Sequence, residues 1–427
     1  MRVNSKKASL LLFLILLPAL STAQWLETTI VVGDVPYALV YNPIDNKVYC
    51  ANWDSDNVTV IDGASNSVIT TITVGDGPCA LVYNTTNNKV YCANYESDNV
   101  TVIDGASNSA ITTVTVDSGP CALVYNPTNN KIYCANCYSD NVTVIDGATD
   151  AVITTIVVGD GPRALAYNPT NNKVYCANQY SENITVIDGT TNSVVTTITV
   201  DIWPWALVCN STDNKVYCAN RDSENVTVID GTADSVITTI TTSIGPYALV
   251  YNSTNNKVYC ANHYCDTVTV IDGASNNVIT TIAVGHGPRA LVFNPTNNKV
   301  YCANEYSANV TVIAGVNNTV VTTIGVGNGP WAFAWNYAQN RTYVANLGSS
   351  SVSVIRDSTT GIEEDNTVVR KHQFGATIFS GPLLLPEGNN YRVFDITGRV
   401  VAPDKIQPGV YFIEVNGQIT RKVIKIR

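Results

Sequence analysis

The stretch "PYALVYNPIDNKVYCANWDSDNVTVIDGASNSVITTITVGDG" occupies residues 36–77, and near-copies of it follow one another along most of the chain. Four β-rich runs within it, at 37–42, 47–52, 57–62 and 68–74, are separated by Gly, Pro, Asn and Asp turns. No window shows the 3.6-residue period of a helix, which indicates an all-β chain. A proline marks each copy at intervals of 42 residues: Pro36, Pro78, Pro120, Pro162, Pro204, Pro246, Pro288 and Pro330.

The period and the termini together predict a closed ring. Four strands in about 42 residues are typical of a β-propeller blade, and such sheets bury their faces only by stacking on neighbours. The last unit supplies three strands, whereas "TTIVV" at 28–32 is a fourth strand with no unit ahead of it. We therefore expect eight four-stranded blades over residues 24–355, closed by the N-terminal strand. A seven-bladed ring with one irregular unit is the alternative.

The two ends of the chain differ from the repeats. Residues 1–23 have a basic start, the apolar run "LLLFLILLPAL" and the small residues "STA", which predict a secretory signal peptide. The product is then exported through the periplasm and either secreted or held at the cell surface. No other run approaches the ~20 apolar residues of a spanning helix, so no transmembrane span is expected. Residues 356–366 read as a linker, and 367–427 as a small antiparallel, β-sandwich-like domain.

Charge separates the propeller from its tail. The formal net charge is -10, but residues 24–365 carry 12 Lys and Arg against 30 Asp and Glu, while 366–427 carry 9 against 4. Nucleic acid requires a basic face, so it is not an expected partner. No cofactor motif occurs, and we expect no cofactor.

A cysteine recurs in seven copies of the second run, at the position of Cys50. It could form a disulfide ladder, bind metal or fill a buried slot. Strand alternation and Val344 at the eighth position favour the buried slot, because equivalent positions lie about 10 Å apart in stacked sheets, beyond disulfide reach. No metal site is expected. Cys79 and Cys121, which follow successive anchor prolines, are the one pair we single out as a candidate disulfide.

The copies diverge at one end of the blades, after the anchor proline and after the second run. Large aromatic and Arg side chains on a rigid scaffold favour recognition, while drift at unconstrained loop positions is the alternative reading. The candidate ligand-binding residues are Tyr37, Trp53, Arg163, Trp205, Arg221, Tyr247, Arg289 and Trp331.

One sector of the same end carries groups that could do chemistry. His263, His286 and Glu305 fall in adjacent units, and such side chains serve as acid/base pairs or metal ligands. No nucleophile or orienting partner completes them. The main expectation is a non-catalytic propeller that binds a protein, glycan or matrix partner. An extracellular enzyme of the lactonase or lyase kind is the alternative.

Two resemblances accompany this interpretation. "NPTNNKVYCAN" and "NVTVIDGASNSVITTITVGDGP" resemble the YVTN family of β-propeller repeats of bacterial and archaeal surface and secreted proteins, over about residues 28–355. "VFDITGRVV", "QPGVYFIEV" and "RKVIKIR" resemble the type A sorting domain of the type IX secretion system. This second resemblance implies that an outer-membrane secretion machine reads the C-terminal domain.

Overall fold

The structure is a computed structural model that describes residues 24–357, 377–379, 391–395, 399–415 and 418–425. The predicted signal peptide and the part of the predicted linker beyond Asp357 lie outside these residues. The chain divides into two compact units between Gly361 and Ile362. Among the described residues, no helix is long and apolar enough to cross a membrane.

The first unit is an eight-bladed β-propeller, as predicted. Each blade is an antiparallel sheet, and in the first seven blades the strands follow chain order from the inside outward. The inner strands lie next to one another around the ring. Their bounds are Pro36–Asn42, Pro78–Asn84, Pro120–Asn126, Pro162–Asn168, Pro204–Asn210, Pro246–Asn252, Pro288–Asn294 and Pro330–Asn336.

The remaining strands of each blade repeat with the same spacing. The second strands are Lys47–Asn52, Lys89–Asn94, Lys131–Asn136, Lys173–Asn178, Lys215–Asn220, Lys257–Asn262, Lys299–Asn304 and Arg341–Asn346. The third strands are Asn57–Asp62, Asn99–Asp104, Asn141–Asp146, Asn183–Asp188, Asn225–Asp230, Thr267–Asp272, Asn309–Ala314 and Ser351–Asp357. The outer strands are Val68–Thr73, Ser109–Thr115, Val152–Val157, Val194–Thr199, Ser235–Thr241, Val278–Ala283, Thr319–Gly325 and, in the eighth blade, Gln24–Val31.

The N-terminal strand closes the ring by supplying the fourth strand that the last repeat lacks, as predicted. Gln24–Val31 pairs antiparallel with Ser351–Asp357 and completes the eighth sheet. The third strand of this blade runs to Asp357, two residues past the predicted end of the propeller at 355. The seven-bladed alternative is therefore wrong.

Blades pack through the two faces of their second and third strands. Tyr49 and Ala51 join one apolar cluster with Val90 and Cys92 of the next blade, while Val48 and Cys50 face the eighth blade. Cys50 and its equivalents are fully buried, as is Val344 in the eighth blade. The thiol of Cys50 donates to Asn52 Oδ1 at 3.4 Å. The prediction of a buried slot is confirmed.

The turns that barely vary between copies form what we call the constant end, and they tie each blade to the next. Lys47 Nζ donates to Gly105 O at 2.7 Å and to Asn108 Oδ1 at 3.0 Å. The hydroxyl of Tyr49 donates to the same Asn108 at 3.1 Å. The lysines and asparagines of this end thus have a structural role between blades.

The second unit contains one four-stranded sheet among its described residues, formed by Thr377–Phe379, Gln418–Lys425, Gly409–Val415 and Tyr391–Asp395 in that order. Two of its pairings are antiparallel, as expected, but Thr377–Phe379 pairs parallel to Gln418–Lys425. The described strands therefore form a single mixed sheet rather than two stacked ones. Two short 3-10 turns, Leu347–Ser349 in the first unit and Pro403–Lys405 in the second, are the helical segments of the described chain.

Candidate functional site

The residue after each anchor proline lies at a bulge of the inner strand. In the first blade Pro36 pairs with Asn52 and Ala38 with Ala51, so that Tyr37 is left out of the ladder. The same shift recurs in the other seven blades. A bulge leaves one residue unpaired and re-aims its side chain. Trp53, the first loop residue after the second strand, donates its amide to Val35 O at 2.9 Å, so both variable positions of a blade lie together.

We call the end of the blades at which the copies diverge the variable end. Arginine and aromatic side chains from successive blades contact one another along part of it. The guanidinium Cζ of Arg163 lies 4.4 Å from the centroid of Trp205. The rings of Trp205 and Tyr247 have centroids 4.9 Å apart. Arg289 lies between two rings, with its Cζ 4.2 Å from Tyr247 and 3.2 Å from Trp331. Each contact joins side chains from neighbouring blades.

Aromatic contacts continue past Trp331 without a cation. Trp331 and Tyr37 have centroids 5.2 Å apart, and Tyr37 and Trp53 5.4 Å. Trp53 then contacts Tyr95 at 5.4 Å. Six consecutive post-proline residues therefore form one connected series, which we call the mouth arc: Arg163, Trp205, Tyr247, Arg289, Trp331 and Tyr37.

Arg221 connects the second variable position to the arc. Its Cζ lies 5.0 Å from the centroid of Trp205 and 5.1 Å from that of Trp203. Its Nη2 donates to the hydroxyl of Tyr264. All eight candidate binding residues thus lie in one connected set of contacts.

Trp203 belongs to this set, although the sequence interpretation omitted it. Its φ is +58°, in the left-handed region, and six other blades place Gly at this position. The indole stacks on Trp205 with an interplanar angle of 9° and a centroid distance of 6.4 Å. Such a backbone is unfavourable for a bulky residue and is typical of functional sites. The signal was present in the sequence as "WP" where most copies read "GP".

The structure leaves Cys79 and Cys121 as free thiols. The Sγ atoms lie 3.2 Å from the carbonyl oxygens of the next anchor prolines, Cys79 Sγ from Pro120 O and Cys121 Sγ from Pro162 O. The side-chain partner of Cys121 is instead Cys137. Hydrogen bonding from Cys121 lowers the pKa of Cys137 to about 7, although burial opposes the shift.

The three candidate catalytic residues do not converge. His263 Nε2 lies 4.0 Å from Glu305 Oε2, and its Nδ1 lies 3.3 Å from Pro288 O. The ring of His286 is held elsewhere, with Nδ1 2.8 Å from Asp266 Oδ1. Burial lowers the pKa of His263 and raises that of Glu305, so both shifts favour the neutral forms. In the part of the chain that the structure describes, no three His, Cys, Asp or Glu side chains are grouped to hold a metal ion.

Comparisons with known proteins agree on the fold. A family model described as "Lactonase, 7-bladed beta-propeller" matches residues 232–321, less than a quarter of the chain. Among solved structures, hydrazine synthase of Kuenenia stuttgartiensis is 18% identical with a TM-score of 0.56, covering 76% of this chain and 96% of its own. Sqt1 of Saccharomyces cerevisiae is 12% identical with a TM-score of 0.70, covering 79% and 99%. The search of curated proteins found no match.

Proposed function

We propose that this chain is an exported, non-catalytic β-propeller that binds a protein, glycan or matrix partner through its variable end. The observation that carries the proposal is the mouth arc, in which large side chains from neighbouring blades meet on strand bulges. Unconstrained drift would place such residues independently of one another. Tryptophan, tyrosine and arginine clustered at the centre of a rigid surface are typical of binding hot spots.

Export is part of the same proposal. The signal-like residues 1–23, the likeness to YVTN repeats and the C-terminal likeness to a type IX sorting domain support it. In this proposal the secretion machinery recognises the C-terminal unit, and the propeller functions outside the cell or on its surface.

A lactonase-like enzyme is the second candidate. The match to the lactonase family model favours it, because residues 232–321 include His263, His286 and Glu305. The separation of His286 from the other two side chains favours the binding function instead. Hydrolysis of simple lactones that is lost on His263→Ala would support the enzyme.

The test is a triple substitution, Trp205→Ala with Arg289→Ala and Trp331→Ala, assayed on an array of neutral and acidic oligosaccharides and on purified matrix proteins. We expect a loss of about 100-fold or more in affinity, because central Trp and Arg side chains each contribute about 2 kcal/mol or more. Circular dichroism and thermal unfolding verify that the variant folds.

The matched control changes three exposed side chains of the constant end: Ile44→Ala, Val316→Ala and Tyr337→Ala. This control should bind as the wild type does. If the folded triple variant retains binding, the variable end is not the site and the proposal is wrong.

A further inference from the structure

The basic residues of the propeller are sorted between its two ends. Within residues 24–357, Arg163, Arg221 and Arg289 belong to the variable end. The other nine are the seven lysines that begin the second strands, together with Arg341 and Arg356, and these belong to the constant end or its closure. The variable end therefore carries a local cluster of three cations on a body that is otherwise strongly acidic.

These three guanidinium groups lack hydrogen-bonded carboxylates among the described residues. Arg221 Nε lies 3.8 Å from Asp222 Oδ1, and Arg289 Nη1 lies 3.9 Å from Glu305 Oε2. Arg163 has no acidic partner within ion-pair distance in the described chain. By contrast, Arg341 donates through Nε to Glu27 Oε2 at 2.6 Å.

Stacking shapes what these arginines can bind. Arg289 has its Cζ close to the rings of both Tyr247 and Trp331, and no carboxylate oxygen of the described residues lies within hydrogen-bond distance of its guanidinium group. A planar guanidinium with a free edge matches the two oxygens of a carboxylate. The neighbouring rings hold the guanidinium group in place and partly desolvate it, which strengthens such a bond.

The aromatic part of the variable end that has no arginine indicates what the remainder of the ligand is, beyond its charged group. Tyr37, Trp53 and Tyr95 are half-buried and continue outward from Trp331, and they present ring surface with hydroxyl and indole N–H groups. Ring faces carry partial negative charge and pack against the C–H faces of sugars, while the polar tips suit hydroxyl groups. Leu347 is the one aliphatic side chain among the two variable positions of the eight blades, so ring faces and polar groups supply most of this surface.

Exposed carboxylates limit the charge of the ligand. Asp34, Asp76 and Asp160 lie on other loop positions of the same end and are exposed. A long polyanion laid across this end would meet them, whereas a ligand with one terminal anionic group would not.

We propose that the mouth arc binds an oligosaccharide whose terminal sugar carries a carboxylate. Arg289 binds the carboxylate, Arg163 adds positive charge at the same end, and Tyr37 and Trp53 contact the following sugar. The inference rests on the proposed binding function and specifies the ligand class of the same site.

The test measures binding of 3′-sialyllactose, 6′-sialyllactose and neutral lactose to the full chain by calorimetry and by tryptophan fluorescence. Trp53, Trp203, Trp205 and Trp331 are four of the six tryptophans and report on this end. We expect at least one acidic sugar to bind about tenfold or more tighter than lactose, because a hydrogen-bonded charge is lost in lactose. Higher ionic strength should weaken that binding.

Arg163→Gln with Arg289→Gln should lower the affinity for the acidic sugar about tenfold or more and should lower the affinity for lactose by a clearly smaller factor, because lactose has no carboxylate for these side chains to bind. The charge-matched control is Arg392→Gln with Arg399→Gln in the second unit, which should have no effect. Equal binding of a glutamate-rich peptide or of inorganic sulfate would overturn the saccharide assignment.

The failure of this inference is distinct from failure of the proposed function. Suppose that lactose or a matrix protein binds, that the Trp205/Arg289/Trp331 triple variant loses this binding, and that neither acidic sugar binds. The assignment of an anionic ligand is then wrong, whereas the proposed binding surface is supported. If no ligand depends on those three residues, both fall.

Discussion

At the scale of single residues, Trp203 shows a conflict between the repeat and the site. The backbone of each blade favours Gly before the anchor proline, because φ is positive there. Trp203 and Val35 are the two residues with side chains that occupy this position. Only Trp203 stacks on the arginine and aromatic side chains of the variable end. The unfavourable backbone is thus accompanied by contacts that a binding surface would use.

Trp203→Gly should leave the free energy of unfolding within about 1 kcal/mol of the wild-type value. The substitution relieves about 1–2 kcal/mol of backbone strain, and the greater freedom of Gly in the unfolded chain offsets this gain. The same change should weaken binding of whichever array ligand the wild type binds. Urea unfolding and calorimetry measure the two effects. Val35→Gly is the matched control, since it relieves the same backbone strain at the equivalent position and removes no aromatic ring from the variable end. If both variants lose binding equally, Trp203 is not part of the site.

At the scale of the blade, the eighth sheet uses different chemistry for the same junctions. Arg341 stands where the other blades have Lys, and its Nη1 donates to Gly63 O of the first blade at 2.7 Å. Its Nε bonds Glu27 of the closing strand at 2.6 Å. The carboxylate of Asp357 accepts a hydrogen bond from the Tyr301 hydroxyl and lies 3.6 Å from Lys299 Nζ. In the other blades, a residue of the constant-end turn makes these contacts. Closure therefore adds the Arg341–Glu27 ion pair within the eighth sheet. Two of the other junctions, Lys89–Asp150 and Lys173–Asp234, also contain ion pairs.

Glu27→Gln should destabilise the propeller by about 2 kcal/mol, because it weakens a largely buried, charge-assisted pair that joins the closing strand to the eighth blade. The midpoint of urea unfolding measures this change. Glu96→Gln removes the same charge from an exposed loop of the second blade and should leave the midpoint unchanged. Equal midpoints for the two variants would show that the Glu27 pair does not stabilise closure.

At the scale of the whole molecule, the described part of the propeller starts at the residue that follows the predicted leader. Gln24 is the first residue of the closing strand, and it pairs with Asp357 at the other terminus of the ring. Cleavage after Ala23 would therefore leave the eighth blade complete. The described second unit has its own sheet and carries most of the tail's basic residues.

We expect the mature chain, isolated from the medium or the cell surface, to begin at Gln24, because the charged, apolar and small-residue segments of 1–23 match a cleaved leader. Fractionation followed by mass spectrometry of both termini measures this. The same spectra show whether the C-terminal unit has been removed. A chain that keeps Met1 and stays inside the cell would contradict the export proposal.

The sequence by itself determined the ring, since the 42-residue period and alternating strands recur in every copy and the surplus N-terminal strand has one place to pair. It also indicated the fully buried cysteine, because the eighth copy places valine in the same slot. Only the tertiary structure decided which variable side chains touch. Arg289 contacts residues 42 positions away on both sides, His286 points to Asp266 rather than His263, and the Cys79 thiol lies close to a proline carbonyl oxygen. Those contacts depend on how bulges aim side chains between neighbouring blades, and a local sequence pattern does not contain that geometry.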